Sequence, residues 1–233
     1  MNDDFYQRTQ IIIGKENIEK IKDMHIVICG IGGVGSFVLE ALARIGVGNL
    51  TIIDKDVVDV TNINRQIIAL QSTIGKYKVD VAKERILDIN PQAKVKATCI
   101  NITSDNIDEV ICIDDNIDYV VDCVDNIEAK IAIMSKCNNQ NIKCISCMGM
   151  GNKINPLDIR VSDIYKTNTC PLARIIRKKL KELGINKQKV IFSVEKPIKN
   201  NSNSNVLGSI SFVPSVAGLI IASEVIKDTL NLN

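Results

Sequence analysis

The run Gly30-Ile31-Gly32-Gly33-Val34-Gly35 has the spacing G-x-G-x-x-G. Glycines so placed let the backbone turn tightly and let a phosphate approach it. Where such a run opens a helix, free N–H groups and the positive end of the helix dipole favour an anion. Nineteen residues beyond Gly35 stands Asp54, closing the apolar run Leu50–Ile53, where a carboxylate can accept from ribose hydroxyls. Gly30, Gly32, Gly33, Gly35 and Asp54 therefore point to a nucleotide without deciding between NAD and ATP. Asp56 follows, and then Thr61-Asn62-Ile63-Asn64-Arg65-Gln66. Arg65 offers a planar fork for phosphate oxygens, and Asn62 and Asn64 add hydrogen bonds. Lys76 and Lys78 open the next helical segment, and Asp125-Asn126 follows another apolar run. A carboxylate at Asp125 can hold Mg²⁺ against phosphates. Taken singly, Arg65 also reads as a surface arginine, Lys78 as a solvated helix charge and Asp125 as a helix N-cap. Together they suit a triphosphate, and an NAD dehydrogenase has no evident need of them. Arg65, Lys78 and Asp125 are the candidate catalytic residues.

The elements that must carry these residues alternate. Ile11–Met24 reads as an amphipathic helix with Ile11, Ile18 and Ile21 on one side, and His25–Cys29 as a buried strand. Ser36–Ile45 is a helix ended by Gly46-Val47-Gly48, Leu50–Ile53 a strand, and Lys76–Ile89 a helix stopped at Asn90-Pro91. Strands at Lys94–Ile100, Tyr119–Cys123 and Lys143–Met148 flank helices at Asn106–Cys112 and Asn126–Asn139. The pattern predicts an α/β fold: a Rossmann-like, doubly wound, mostly parallel sheet with helices on both faces. The rhythm breaks near Gly149. A mixed extension then reads as strand Asp158–Asp163, helix Pro171–Leu183, strand Lys189–Val194, loop Pro197–Asn205, strand Leu207–Phe212 and helix Pro214–Leu230. The expectation is one domain over 1–233, divided into an N-terminal arm (1–24), a nucleotide-binding core (25–150) and a C-terminal extension (151–233).

Composition bounds the class. In 233 residues, 45% are hydrophobic but only 3% aromatic, with no Trp, so the core must be aliphatic. There is no uncharged apolar stretch of the ~18 residues a membrane helix needs, and the first residues do not read as a secretory leader. The expected location is the cytoplasm, with no membrane partner. The eight cysteines mostly sit within apolar runs, as reduced buried thiols do. Net charge is only +2, yet Lys166–Lys199 holds ten basic and two acidic residues, a local +8 that would attract a polyanion. A solvated helix face is the plainer account of it.

In their order, Gly30–Ser36, Ile53–Asp56, Asn62–Gln66, Gly75–Val79 and Asp122–Asn126 resemble the motifs of the ThiF-type adenylyltransferase superfamily, which activates ubiquitin-like and sulfur-carrier proteins. The resemblance implies an Asp54 contact to ribose, phosphate contacts from Asn62, Arg65 and Lys78, and Mg²⁺ on Asp125. It also implies a homodimer in which Arg8 reaches the partner subunit's ATP. Met148–Lys153, Asp163–Thr167, Cys170–Arg174 and Gly208–Gly218 are similar to the branch that dehydrates threonylcarbamoyladenosine in tRNA, which extends the similarity over nearly the whole chain. That branch implies adenylation of the threonyl carboxylate, attack by the neighbouring carbamoyl group and release of AMP. The basic segment would suit the tRNA backbone, and a monovalent cation and a sulfur-transfer protein partner are compatible with the resemblance.

Relatives that act on sulfur carriers often bind zinc through two C-x-x-C pairs. Here Cys144-Ile145-Ser146-Cys147 stands alone and His25 is the one histidine, so structural zinc is not expected. Cys170 reads as an ordinary loop cysteine or, less simply, as a thioester-forming nucleophile. Two rival functions stand beside the dehydratase: an adenylyltransferase for a sulfur-carrier C-terminus, and a nucleotide-binding module or NAD dehydrogenase.

Overall fold

The computed structural model describes residues 5–112, 116–199 and 207–232. Seven strands form one sheet in the order β3-β2-β1-β4-β5-β7-β6: β1 (His25–Cys29), β2 (Asn49–Ile53), β3 (Lys94–Thr98), β4 (Tyr119–Asp122), β5 (Lys143–Cys147), β6 (Ile159–Asp163) and β7 (Lys189–Ser193). All neighbours pair in parallel except β6, which closes one edge antiparallel to β7. The chain winds outward from β1 in both directions, so the sheet order reverses between β1 and β4. In open α/β sheets that reversal leaves a crevice at the carboxyl ends of the strands.

Eight helices flank the sheet: α1 (Gln7–Ile13), α2 (Lys15–Asp23), α3 (Gly35–Ile45), α4 (Lys78–Ile89), α5 (Ile107–Val110), α6 (Ile127–Gln140), α7 (Pro171–Glu182) and α8 (Phe212–Leu230) among the described residues. Period-two alternation sorts the strand side chains onto two faces. Ile26, Ile28, Leu50, Ile52, Tyr119 and Val121 join α3, α4 and α8 in the larger core, while Val27, Cys29 and Val120 pack with α5 and α6. On that second face, Val190 and Phe192 meet α6 and α7. The two thiols of the C-x-x-C stretch also part: Cys147 joins the larger core, and Cys144 packs against the opposite face.

Two expected elements are not formed. The single helix expected over Ile11–Met24 is two helices, because Gly14 sits at φ +82°, and Ile11 is left 80% exposed while Ile18 and Ile21 are buried. The strand expected at Leu207–Phe212 is absent. Gly208 instead exchanges hydrogen bonds with Asn152 through its N–H (2.6 Å to Oδ1) and C=O (2.8 Å), and α8 starts already at Phe212. Pro214 lies in the first turn of α8, where the missing N–H has no intrahelical partner to lose. Of the loop expected at Pro197–Asn205, residues 200–205 lie outside the described residues.

Candidate active site

The carboxyl ends of β1, β2, β4 and β5 open onto one cavity of about 770 Å³. Gly30, Gly32, Gly33, Asp54, Asp56, Asn62, Arg65, Lys78, Asp125 and Asn126 all line it. Sequence-distant candidates converge because each follows a strand that ends at the same edge of the sheet.

The glycine loop is fixed by close backbone approaches. Gly30 has φ +89°, donates its N–H to Ile53 O (2.7 Å), and a Cβ there would lie 2.9 Å from the Cys123 and Val124 backbone. A Cβ on Gly35 would stand 1.9 Å from Gly30 O, so its hydrogen is what lets α3 start directly beneath the loop. Gly35 itself does not line the cavity. Asp54 ties strand to loop: one carboxylate oxygen accepts from Ile31 N–H (2.6 Å) and the other from Asp56 N–H (2.8 Å).

Lys78 is buried, and its ammonium donates to Asp56 Oδ2 (2.9 Å) and lies 4.0 Å from Asp54 Oδ1. It is not a solvated helix charge. Asn62 is also buried and accepts from Asp59 N–H (3.1 Å), closing a capping box on the short 3₁₀ turn Val60–Asn62. Arg65 lays its methylenes against Gly33, while its guanidinium donates to Thr61 O (2.9 Å) and Asn64 Oδ1 (2.8 Å). Asn64 lies outside the cavity lining and also donates to Ser209 O (3.0 Å), so it holds Arg65 from behind.

Asp125 is exposed at the cavity, with no hydrogen bond or ion pair among the described residues. The N-cap of α6 is Asn126, whose Oδ1 accepts from Ala129 N–H (2.9 Å), and this leaves the Asp125 carboxylate free for a cation. The residues present thus fit a nucleotide with a divalent ion: amide donors and two cations for phosphate, and one unengaged carboxylate. Arg8 is exposed on α1 and does not line this cavity.

Two further contributors, Gln66 and Lys130, have no individual role in the sequence reading. Gln66 lines the cavity and has a buried Oε1 without a partner among the described residues. Beneath the loop that carries Asp125, Lys130 donates to Asp122 Oδ2 (2.9 Å), Ser146 Oγ (3.3 Å) and Cys147 O (2.6 Å), all fully or nearly buried. Burial, the largest single influence, pulls the ammonium of Lys130 down, but the charge and hydrogen bond of Asp122 together with Cys147 and Cys123 outweigh it and raise it above the usual lysine range. Lys130 stands five residues after Asp125 in α6, where a lysine ordinarily reads as surface charge.

Beyond the glycine loop the same cavity continues along Met148–Lys153 and Cys170–Leu172. Cys170 is buried rather than in an open loop, and its sulfur caps α7 by accepting from Ala173 N–H (3.5 Å). Burial pushes the nearby Cys147 thiol up to about 12. Of the ten cations in the basic segment, Arg177 is spent on Ile164 O, Thr167 O and Thr167 Oγ1, and Lys189 on Glu224 and Asp228. The other eight are exposed. Among the described residues, no helix is long and apolar enough to cross a membrane.

Comparison with known proteins matches residues 6–232 to the model of the ThiF family. The chain is 43% identical to the tRNA threonylcarbamoyladenosine dehydratase of Bacillus subtilis (strain 168), over 97% of this chain and 94% of that protein. The crystal structure of the Escherichia coli tRNA N6-threonylcarbamoyladenosine dehydratase in complex with ATP superposes with a TM-score of 0.92 at 33% identity, covering 98% of this chain and 95% of that one. A sulfur carrier protein adenylyltransferase of Thermus thermophilus is 34% identical over 46% of this chain and 41% of its own length.

Proposed function

The chain belongs to the ThiF family, and on that premise we propose that it is an ATP-dependent enzyme that converts threonylcarbamoyladenosine in tRNA to its cyclic form. The observation that carries the reading is the continuity of the cavity. One cavity is lined both by Gly30, Asp54 and Lys78, suited to a nucleotide, and by Met148–Lys153 and Cys170–Leu172, beside which a second reactant would sit. Similarity to dehydratases over nearly the whole chain, rather than over the nucleotide half alone, supports it.

A carboxylate is a poor electrophile. Its attack on the α-phosphate of ATP forms an acyl-adenylate and expels pyrophosphate, and AMP is then a good leaving group. The carbamoyl group of the same substituent attacks the activated carbonyl, closes the ring and releases AMP. Because nucleophile and electrophile share one side chain, the second step gains a large effective concentration and needs no enzyme cysteine. In this scheme Asp54 accepts from ribose hydroxyls, and the loop amides, Asn62, Arg65 and Lys78 hold phosphates as negative charge shifts among them. Asp125 would hold the Mg²⁺ that accompanies ATP, which neutralises phosphate charge. The eight exposed cations around α7 meet the tRNA backbone. Arg8 serves the site of a partner subunit in a homodimer, and the enzyme works in the cytoplasm. A protein C-terminus is the second reading, supported by the Thermus similarity over 46% of the chain.

ATP, AMP and NAD binding, with AMP release measured with and without threonylcarbamoyl-modified tRNA, tests the proposal. ATP binds and AMP release requires the modified tRNA. Tight NAD binding without ATP binding, or AMP release that depends on a protein C-terminus and not on tRNA, would overturn it.

A further inference from the structure

Lys153 is only 5% exposed and lines the far end of the cavity. Its ammonium donates to two main-chain carbonyls, Glu195 O (2.6 Å) and Ser193 O (3.3 Å), leaving one N–H with no protein acceptor among the described residues. No carboxylate among the described residues lies within ion-pair distance of it. Glu195 is its neighbour, but that carboxylate accepts from Ile154 N–H (3.1 Å) and Asn155 N–H (3.0 Å). A buried cation without a counter-ion is unfavourable in itself, and it becomes favourable when an anion enters beside it. Burial, the largest influence, already pushes the Lys153 ammonium below the usual lysine range, against the pull of Cys170, Glu195 and Asp158.

Of the other cations lining the cavity, Arg65 and Lys78 stand on the glycine-loop side, where phosphates are expected, and Lys55 directly follows Asp54. A carboxylate advancing on a triphosphate meets its negative charge, and the phosphate cations do not offset that at the carboxylate's own end. We propose that Lys153 binds the threonyl carboxylate of the modified adenosine and orients it toward the α-phosphate of ATP. This rests on the dehydratase reading, and it names the side chain that distinguishes the acidic substrate from a neutral one. The apolar lining supplied by Met148, Met150 and Leu172 strengthens that ion pair by excluding water.

The test compares two anticodon stem-loops, one bearing the threonylcarbamoyl carboxylate and one its carboxamide. Binding is measured with an α,β-methylene ATP analogue that cannot be adenylated from. Wild-type protein prefers the carboxylate by roughly 10- to 100-fold, the span of a hydrogen bond to a charged group. Lys153→Met binds both with the weaker affinity and binds the ATP analogue as before, and Lys153→Gln repeats the measurement with a polar, uncharged side chain. A merely structural role for Lys153 would move thermal stability and leave the preference intact. Wild-type protein that binds neither stem-loop refutes the dehydratase reading and this assignment with it. Wild-type protein that binds the two alike, or folded variants that keep the preference, overturns the assignment alone.

Discussion

Replacing Lys130 by Met leaves a buried carboxylate without its charge partner. Lys130 and Asp122 have side chains 1% and 0% exposed, and they are joined at 2.9 Å. In the variant, Asp122 keeps only Val124 N–H (3.1 Å) and Ser146 Oγ (2.5 Å), and Cys147 O loses its donor. Breaking one side of a buried pair costs about 3–5 kcal/mol. For a chain of this length each kcal/mol moves Tm by roughly 2–4 °C, so Tm should fall by about 10 °C. Urea denaturation and calorimetry measure it. The double variant Lys130→Met/Asp122→Asn removes the stranded charge and should recover part of the loss. A single variant within about 1 kcal/mol of wild type would refute the view that this network sets the end of β4 and hence the Asp125 loop.

Other outcomes follow from the same geometry. Gly35→Ala places a Cβ 1.9 Å from Gly30 O, so the loop must shift, and ATP affinity measured by calorimetry drops while the core stays folded. Arg65→Ala and Asp125→Ala lower turnover by about 10²-fold or more with unchanged circular dichroism, and near wild-type rates would remove their phosphate and metal roles. Glu40 is desolvated, which raises its carboxyl, but bonds from Arg85 (2.6 Å) and Arg44 (2.7 Å) outweigh that and hold it below the usual range. Its folded value is depressed, so its contribution is present above the unfolded value of about 4.3 and lost as pH falls through the folded one. Tm therefore declines below about pH 4, and Glu40→Gln flattens that decline. Iodoacetamide at pH 8 labels exposed Cys99 and spares buried Cys147 in the native protein, as peptide mass mapping would show.

The parallel half of the sheet was legible because His25–Cys29, Asn49–Ile53 and Tyr119–Asp122 are short aliphatic runs, each followed by a polar or glycine-rich turn. Once those strands are parallel neighbours, the residues after them must share one edge, which is why Gly30, Asp54 and Asp125 meet. The edge pairing of β6 with β7 depends on long-range contacts and has no local signal. Leu207–Phe212 looked like a strand because Ile210 and Phe212 alternate with Ser209 and Ser211, yet the Gly208–Asn152 bonds claim its backbone. Gly14 was hidden because a lone glycine inside a helical period reads as tolerated, whereas its φ of +82° breaks the helix. Gln66 and Lys153 fell inside the motifs Asn62–Gln66 and Met148–Lys153 without a role of their own, and Lys130 was not legible at all, since their burial is a property of the assembled sheet and sequence assigns such side chains to the surface.

The claim that this cavity activates the threonyl carboxylate is tested most directly by incubating the protein with ATP, Mg²⁺ and threonylcarbamoyl-modified tRNA, then weighing the released nucleosides by mass spectrometry. The modified adenosine should lose one water, with one AMP formed per ring closed. An unchanged nucleoside mass, with the tRNA bound and ATP present, would contradict the account.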